Sequence, residues 1–326
     1  MIAQKLKSLL SHRNLFSPKT DLSKFSYIYL MQPDGIGSQL RFLDLVLTRV
    51  APNKNVSVLF DLRQSEYFQG WPHTFRQKQL NEIFSFQWDS SEKDNYSKLI
   101  FDTSEIDHII SSQPERVGAV LFYPEARVNK LKEKNIHLID YESLPRKQIL
   151  SSLLPKVLKP GPRLAELLLQ QKWKTHNRIG IHARLGNGAP WDPQRAQLRP
   201  LEPEDFFKVL DRYPKEKHFF VCTDTPSFLD KCQQRYPDRI YFSERYYFPE
   251  SYGPGHCVLW NLPTEARSLL QAKRLELGPY QLILDATVDM FLLSYCSYVV
   301  CNPSGFSYYA THGKSVPFTQ VGPFPK

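Results

Sequence analysis

The stretch RIGIHARLGNGAP, Arg178 to Pro190, decides the fold. It runs from an Ile-rich strand through a His and an Arg into a glycine-rich turn. Side chains alternate between faces along a strand. Ile179, Ile181 and Ala183 therefore point one way, and Gly180, His182 and Arg184 the other. Two donors stand on one face where the strand ends, and Gly186 and Gly188 let a ligand approach the backbone closely. In open α/β sheets ligands sit outside the carboxyl ends of the strands. The pattern predicts an anion at this strand end, with phosphate the first choice.

Working outward, the second half supplies further strands at KHFFVCTD, RIYFSE and YVVCNPS. Helical spacing falls at EPEDFFKVLDRY, PSFLDKCQQRY and LILDATVDMFLLSYC. The first half alternates in the same way. Tyr27–Gln32 and Asn55–Leu62 are strand-like, and Leu40, Leu43, Leu47 and Val50 lie at helical spacing between them. KLIFD, VGAVLFYP and NIHLID follow as strands. Pro155, Pro160, Gly161 and Pro162 interrupt the pattern, and the helix RLAELLLQQ then leads back to the opening stretch. The expectation is two α/β domains, residues 1–155 and 156–326, with a cleft between them.

With 326 residues, 41% hydrophobic and 23% charged, the chain is globular in composition. Its net charge of +9 suits an acidic or phosphorylated partner. The basic residues form no long run and no nucleic-acid motif is present, which disfavours a nucleic-acid partner. No apolar run reaches the ~20 residues needed to cross a bilayer. Residues 1–16 are basic with Ile2, Leu6, Leu9 and Leu10 on one side. They fit either a capping helix or a loose contact with an anionic membrane face. The five cysteines, Cys222, Cys232, Cys257, Cys296 and Cys301, show no C-x-x-C spacing. That disfavours a disulfide framework or a zinc site and points to a reducing, cytoplasmic setting.

Three further constellations could carry chemistry. Gly35 and Gly37 lie between a strand and a helix, matching neither the dinucleotide nor the Walker pattern. They make either a tight turn or an anion cradle at a helix N-terminus. Asp224 ends a strand in CTDTPSFL and either caps the next helix or meets ligand hydroxyls. Asp285 and Asp289 share one face of an apolar helix, where a carboxylate needs a partner. Beyond them Ser304, Gly305 and Ser307 offer hydroxyls and N–H groups at a strand-to-helix turn. No carboxylate or histidine cluster has metal-ligand spacing, so no metal is expected.

Taken together, these motifs resemble the α1,6-fucosyltransferase family, which includes rhizobial nodulation and animal N-glycan core enzymes. GIGSQLR resembles the first glycine loop, VLFDLRQSEYF the V-D-W-R-x-S-x-Y segment and IGIHARLGNG the H-x-R motif. CTDTPSFLDKCQQRYPDRIYFSE and DMFLLSYCSYVVCNPSGFSYYA resemble the last two motifs, all in family order from Gly35 to Ala310. The chain departs from those patterns at Leu62, Asn187 and Gly305.

The resemblance implies a GT-B fold of two Rossmann-like domains and transfer of L-fucose from GDP-β-L-fucose with inversion. It implies no metal and no cofactor beyond that co-substrate, and a glycan or lipid-linked oligosaccharide as acceptor. It places Arg184 on the donor diphosphate, His182 and Asp289 near the nucleoside, and Ser304 and Gly305 near the phosphate. Gly35, Gly37 and Gln39 would lie across the cleft, with Gly186, Asn187 and Asp224 completing the donor-binding set. Asp192 stands where the animal pattern has a catalytic-type Glu, with Glu202, Glu204 and Asp205 as alternatives for the base. Rival readings are transfer from another donor such as GDP-mannose, a sugar-nucleotide or glycan-binding protein without turnover, and a nucleic-acid binder.

Overall fold

The computed structural model describes residues 20–31, 36–62, 77–88, 93, 95–121, 136–144, 151–185, 201–243, 245, 280–281, 283–302 and 304–322. Among these the strands are, in chain order, β1 (Tyr27–Met31), β2 (Ser57–Phe60), β3 (Phe84–Phe86), β4 (Leu99–Ile100), β5 (Val117–Leu121) and β6 (His137–Asp140). There follow β7 (Leu158–Pro160), β8 (Ile179–Ala183), β9 (Phe219–Thr223), β10 (Ile240–Tyr241), β11 (Tyr298–Cys301) and β12 (Phe318–Gln320). Short runs such as VGAVL and FFVCT suit extended backbone because β-branched and aromatic side chains fit a pleated surface.

Two compact units emerge. The described parts of Met1–Gln32, Phe42–Asp61 and Trp88–Leu153 form the first, and those of Pro33–Arg41, Leu62–Gln87 and Leu154–Lys326 the second. The first holds a sheet of order β4-β2-β1-β5-β6. All four of its pairings are parallel. Its core joins Tyr29, Leu59 and Ala119 to Ile106 and Ile109 of the helix Thr103–Ser112. That helix starts where the Asp102 carboxylate accepts the N–H groups of Ser104 and Glu105 at 2.9 and 3.0 Å. The helix Ile36–Val50 buries Leu40, Leu43, Leu47 and Val50, the spacing read from the sequence.

The second unit repeats the plan with the order β10-β9-β8-β11-β12, again parallel throughout. Here β8 is the centre, flanked by β9 and β11. Every residue of β8 is buried, as expected of a parallel strand covered on both faces. Ile179, Ile181 and Ala183 pack with Phe206, Phe207, Leu210 and Phe228 of the helices Pro203–Leu210 and Pro226–Arg235. On the other face, a Cβ added at Gly180 would lie 2.6 Å from Leu293 Cδ1 and 3.0 Å from Cys296 Sγ. Gly180 therefore lets the helix over 283–293 lie directly on the strand. Cys222, Cys232, Cys296 and Cys301 are buried free thiols.

The proline-rich stretch read as a break is structured. It forms the helix Leu154–Val157 and β7, which pairs antiparallel with β3 through Phe84↔Pro160, Ser85↔Lys159 and Phe86↔Leu158. Pro160 is tolerated because a two-stranded ribbon offers an edge where no ladder donor is needed. β12 and the helix Thr103–Ser112 were also absent from the sequence patterns. No helix among the described residues is long and apolar enough to cross a membrane.

Candidate functional site

In the second sheet the chain leaves β8 toward β9 on one side and returns to β11 on the other, so the strand order reverses between β8 and β11. This is the switch point at which doubly wound sheets bind ligands. Asn302, the residue after β11, ties the two strand ends together. Its Oδ1 accepts the Arg184 N–H at 2.9 Å, and its Nδ2 donates to the Arg184 carbonyl at 3.2 Å. Its own N–H donates to the His182 carbonyl at 3.3 Å. The amide thus continues the ladder past the last paired residues and fixes the backbone that carries Arg184.

His182 is only 5% exposed. Its ring stacks on Phe306 with centroids 4.7 Å apart, and Nδ1 lies 3.3 Å from Ser304 Oγ. Burial, with Arg184 and Arg245 adding their charge, pushes its pKa down to about 3. The imidazole is therefore neutral at neutral pH and offers one N–H. Ser304 also accepts the Ser307 N–H at 3.2 Å, which makes it the N-cap of the helix Gly305–Tyr308.

Asp224 does not cap the helix that follows it. The N-cap of the helix Pro226–Arg235 is Thr225. Asp224 Oδ1 instead accepts the Leu185 N–H at 3.2 Å, and Oδ2 lies 3.9 Å from Arg184 Nε. The carboxylate reaches across from the end of β9 to the end of β8 because these strands are neighbours. It steadies Arg184 without closing a tight ion pair.

Asp289 is 1% exposed and has the partners that its apolar helix demands. Arg245 Nη1 lies 3.0 Å from Oδ2, and the Ser243 hydroxyl donates to Oδ1. Burial still raises its pKa above the usual carboxylate range, with Arg245 and Ser243 pulling the other way. Arg245 also donates to the Thr223 carbonyl at the end of β9. Arg245, Ser243 and Asn302 were not singled out in the sequence. Only Asn302 left a trace there, as the polar residue directly after the strand YVVC.

Gly37 and Gly305 explain each other. A Cβ on Gly37 would lie 2.5 Å from Phe306 N, and one on Gly305 would lie 2.6 Å from the Gly37 carbonyl carbon. The backbones at the starts of the helices Ile36–Val50 and Gly305–Tyr308 touch, which only glycine permits. Gln39, two residues on, is buried.

The structure thus gathers His182, Arg184, Asp224 and Ser304 at the ends of β8, β9 and β11, with Asp289 beneath them holding Arg245. Gly35, Gly186, Asn187, Asp192, Cys257 and residues 1–16 lie outside the described residues. Of the alternatives for a base, Glu202 and Glu204 are exposed. Asp205 accepts the Glu202 N–H at 3.0 Å, as a helix cap. Among the described residues no group of three or more His, Cys, Asp or Glu could hold a metal ion. Guanidinium, neutral imidazole and hydroxyl groups at a strand end are suited to a polar anion.

The fold so defined is a pair of parallel, Rossmann-like sheets, one with a cationic switch point. Comparison with known proteins makes the class more particular. No family model matches the chain. It is similar to nodulation protein Z of Sinorhizobium fredii (strain NBRC 101917 / NGR234), at 28% identity over 155 residues. That match covers 44% of this chain and 42% of that protein, less than half the relative's length. The structure is similar to NodZ α-1,6-fucosyltransferase co-crystallized with GDP, with a TM-score of 0.53 and 17% identity over 88% of this chain and 92% of that one. A second NodZ structure, from Bradyrhizobium, gives 0.51 and 16% over 88% and 91%. The resemblance read from the motifs is met in sequence and in fold, and the fold is of the expected α/β, GT-B type.

Proposed function

We propose that this chain is a fucosyltransferase that moves L-fucose from GDP-β-L-fucose to a glycan hydroxyl, O6 of a GlcNAc-type residue being the expected position. The observation that supports it most is the fixed end of β8, where Asn302 clamps the Arg184 backbone beside a neutral His182 and Ser304. NodZ, whose fold the chain shares, is described as an α-1,6-fucosyltransferase and as crystallized with GDP.

As the bond to fucose breaks, negative charge grows on the departing diphosphate. The Arg184 guanidinium can grip two of its oxygens in one plane, and being held in place it reorganises little as the charge develops. Neutral His182 contributes a hydrogen bond with no charge to solvate. On this reading His182 and Asp289, the latter paired with Arg245, stand near the nucleoside, and Asp224 belongs to the donor-binding set. Gly35, Gly37, Gln39, Gly186, Asn187 and Gly305 complete the donor set, with residues 156–326 as the donor domain and 1–155 facing the acceptor. Asp192 on the opposite face of the sugar takes the acceptor proton, which sets inversion, and the arginines replace a metal.

The deciding experiment incubates the protein with GDP-fucose and a panel of GlcNAc-ended oligosaccharides, then reads products by mass spectrometry. An acceptor gaining one fucose, with equal release of GDP, is expected. Transfer from GDP-mannose instead would change the donor, and GDP-fucose bound but never consumed would leave a binding protein.

A further inference from the structure

The amino-terminal edge of the second sheet holds a cavity, at the far end of β8 from Arg184. It measures about 460 Å³, and its lining includes His176, Asn177, Arg178, Glu216, Lys217 and Tyr241, with Pro214 and His218. Its walls are fixed. Asn177 takes the left-handed region at φ 54°, and the Arg178 N–H donates to Thr175 O at 3.1 Å. The opposite wall is clamped by Arg239, whose Nε donates to Lys217 O at 2.8 Å and whose Nη2 donates to Pro214 O at 3.0 Å.

The chemistry of the lining is uneven in two respects. Arg178 and Lys217 stand with two imidazoles against the single carboxylate of Glu216. Arg178 Nε and His218 Nδ1 are buried without a hydrogen-bond partner. Beside the cavity stands an aromatic platform. The Arg178 guanidinium lies 3.5 Å from the Tyr241 ring centroid, and Trp173 meets Tyr241 edge-on at 6.0 Å. Trp173 is 59% exposed and Leu169, one turn before it, is 79% exposed.

We propose that this cavity binds a saccharide bearing an acidic group, carboxylate or phosphate. The C–H face of a pyranose lies on the exposed Trp173 ring, the acidic group meets Arg178 and Lys217, and Asn177 and Glu216 pair with hydroxyls. The volume falls in the range of small-molecule sites, roughly 300–1,000 Å³. The proposal does not rest on the transferase reading, since the cavity shares no residue with the end of β8.

The test titrates the full chain with glucose, glucuronate, glucose 6-phosphate and inorganic phosphate, followed by ligand-observed NMR and calorimetry. Both acidic sugars should bind at least tenfold more tightly than glucose. Trp173→Ala should weaken both, and Lys217→Ala should remove most of their advantage over glucose. Both variants alter exposed side chains, and unchanged thermal melting confirms that they fold. A preference for only one acidic sugar would name the source of the charge, and supports the proposal. Equal binding of glucose and the acidic sugars would overturn it. So would inorganic phosphate binding as tightly as glucose 6-phosphate with no effect of Trp173→Ala. Loss of binding in Arg184→Lys but not in Lys217→Ala would place the ligand at the other end of the sheet and also overturn it.

Discussion

At the scale of single residues, the proposed function rests on Arg184 being a planar fork rather than a point charge. Arg184→Lys keeps the charge but loses the two-oxygen grip. GDP should bind more weakly, and transfer should fall by roughly two to three orders of magnitude, as for the loss of one preorganised stabiliser. Steady-state kinetics with a GDP titration check this, and near wild-type values would remove Arg184 from the diphosphate. Two titratable groups, His182 buried and Asp285 half-buried, shape the pH response. His182 has its folded pKa pushed down to about 3, so the unfolded chain binds protons first. Its contribution to stability is complete above about 6.5 and is lost as the pH falls toward 3. Asp285 has its pKa raised to about 6, chiefly by burial, although Gln281 Nε2 donates to it at 2.6 Å. Its contribution runs the other way, present below about 4 and lost as the pH rises through 6. Asp285→Asn should therefore raise stability by about 1–2 kcal/mol at pH 8, after a discount for partial exposure, and by nothing at pH 4. Thermal melts of both proteins across that range decide it; an equal gain at both ends would show that ionisation is not the cause.

At the scale of elements, the site is made where strand ends and helix starts converge. Asn302 does for β8 and β11 what another ladder residue would do, and its two bonds to Arg184 put a side chain in place of backbone. Asn302→Ala should cost about 1–3 kcal/mol of stability, since it strands two part-buried backbone groups. GDP binding should weaken with it, and Asn302→Asp, which keeps the acceptor alone, should fall between. Denaturant melts and GDP calorimetry on the three proteins give the order. Where the two helix starts meet, the limit is steric. Gly37→Ala would set a Cβ 2.5 Å from the Phe306 backbone nitrogen, and neither backbone can move aside as a side chain could. A clear fall in melting temperature and loss of GDP binding are expected. Wild-type melting would mean that the two helix starts are further apart. The strands at the centres of both sheets were legible in sequence because each is a short apolar run ended by polar residues. The ribbon of β3 and β7 was not, because its pairing joins segments distant in sequence and one of them contains a proline.

At the scale of the whole molecule, a ligand that binds only the folded chain stabilises it by mass action. At a hundred times its Kd, GDP should add about 2.7 kcal/mol and shift the melting temperature upward. The shift, and transfer itself, should be the same in EDTA if, as proposed, Arg184 and neighbouring N–H groups meet the diphosphate charge. Melting curves with GDP, with and without chelator, test this. Dependence on added Mg²⁺ or Mn²⁺ would put a metal on the diphosphate.

The sequence by itself determined the alternation of strands and helices, the strand ends bearing His182, Arg184 and Asp224, and the family likeness. Each of these rests on local pattern: a period of two or of 3.6 residues, or a motif within one short segment. Tertiary structure decided the rest. That Asp224 serves β8 rather than its own helix follows from β8 and β9 being neighbours. That Asp289 is answered by Arg245 and Ser243 depends on residues more than forty positions away in the chain. Gly37 looked like a turn or an anion cradle, and its lack of a side chain is required by Gly305 and Phe306. No local pattern carries such pairings, because a side chain's partner is fixed by which backbones the fold brings together.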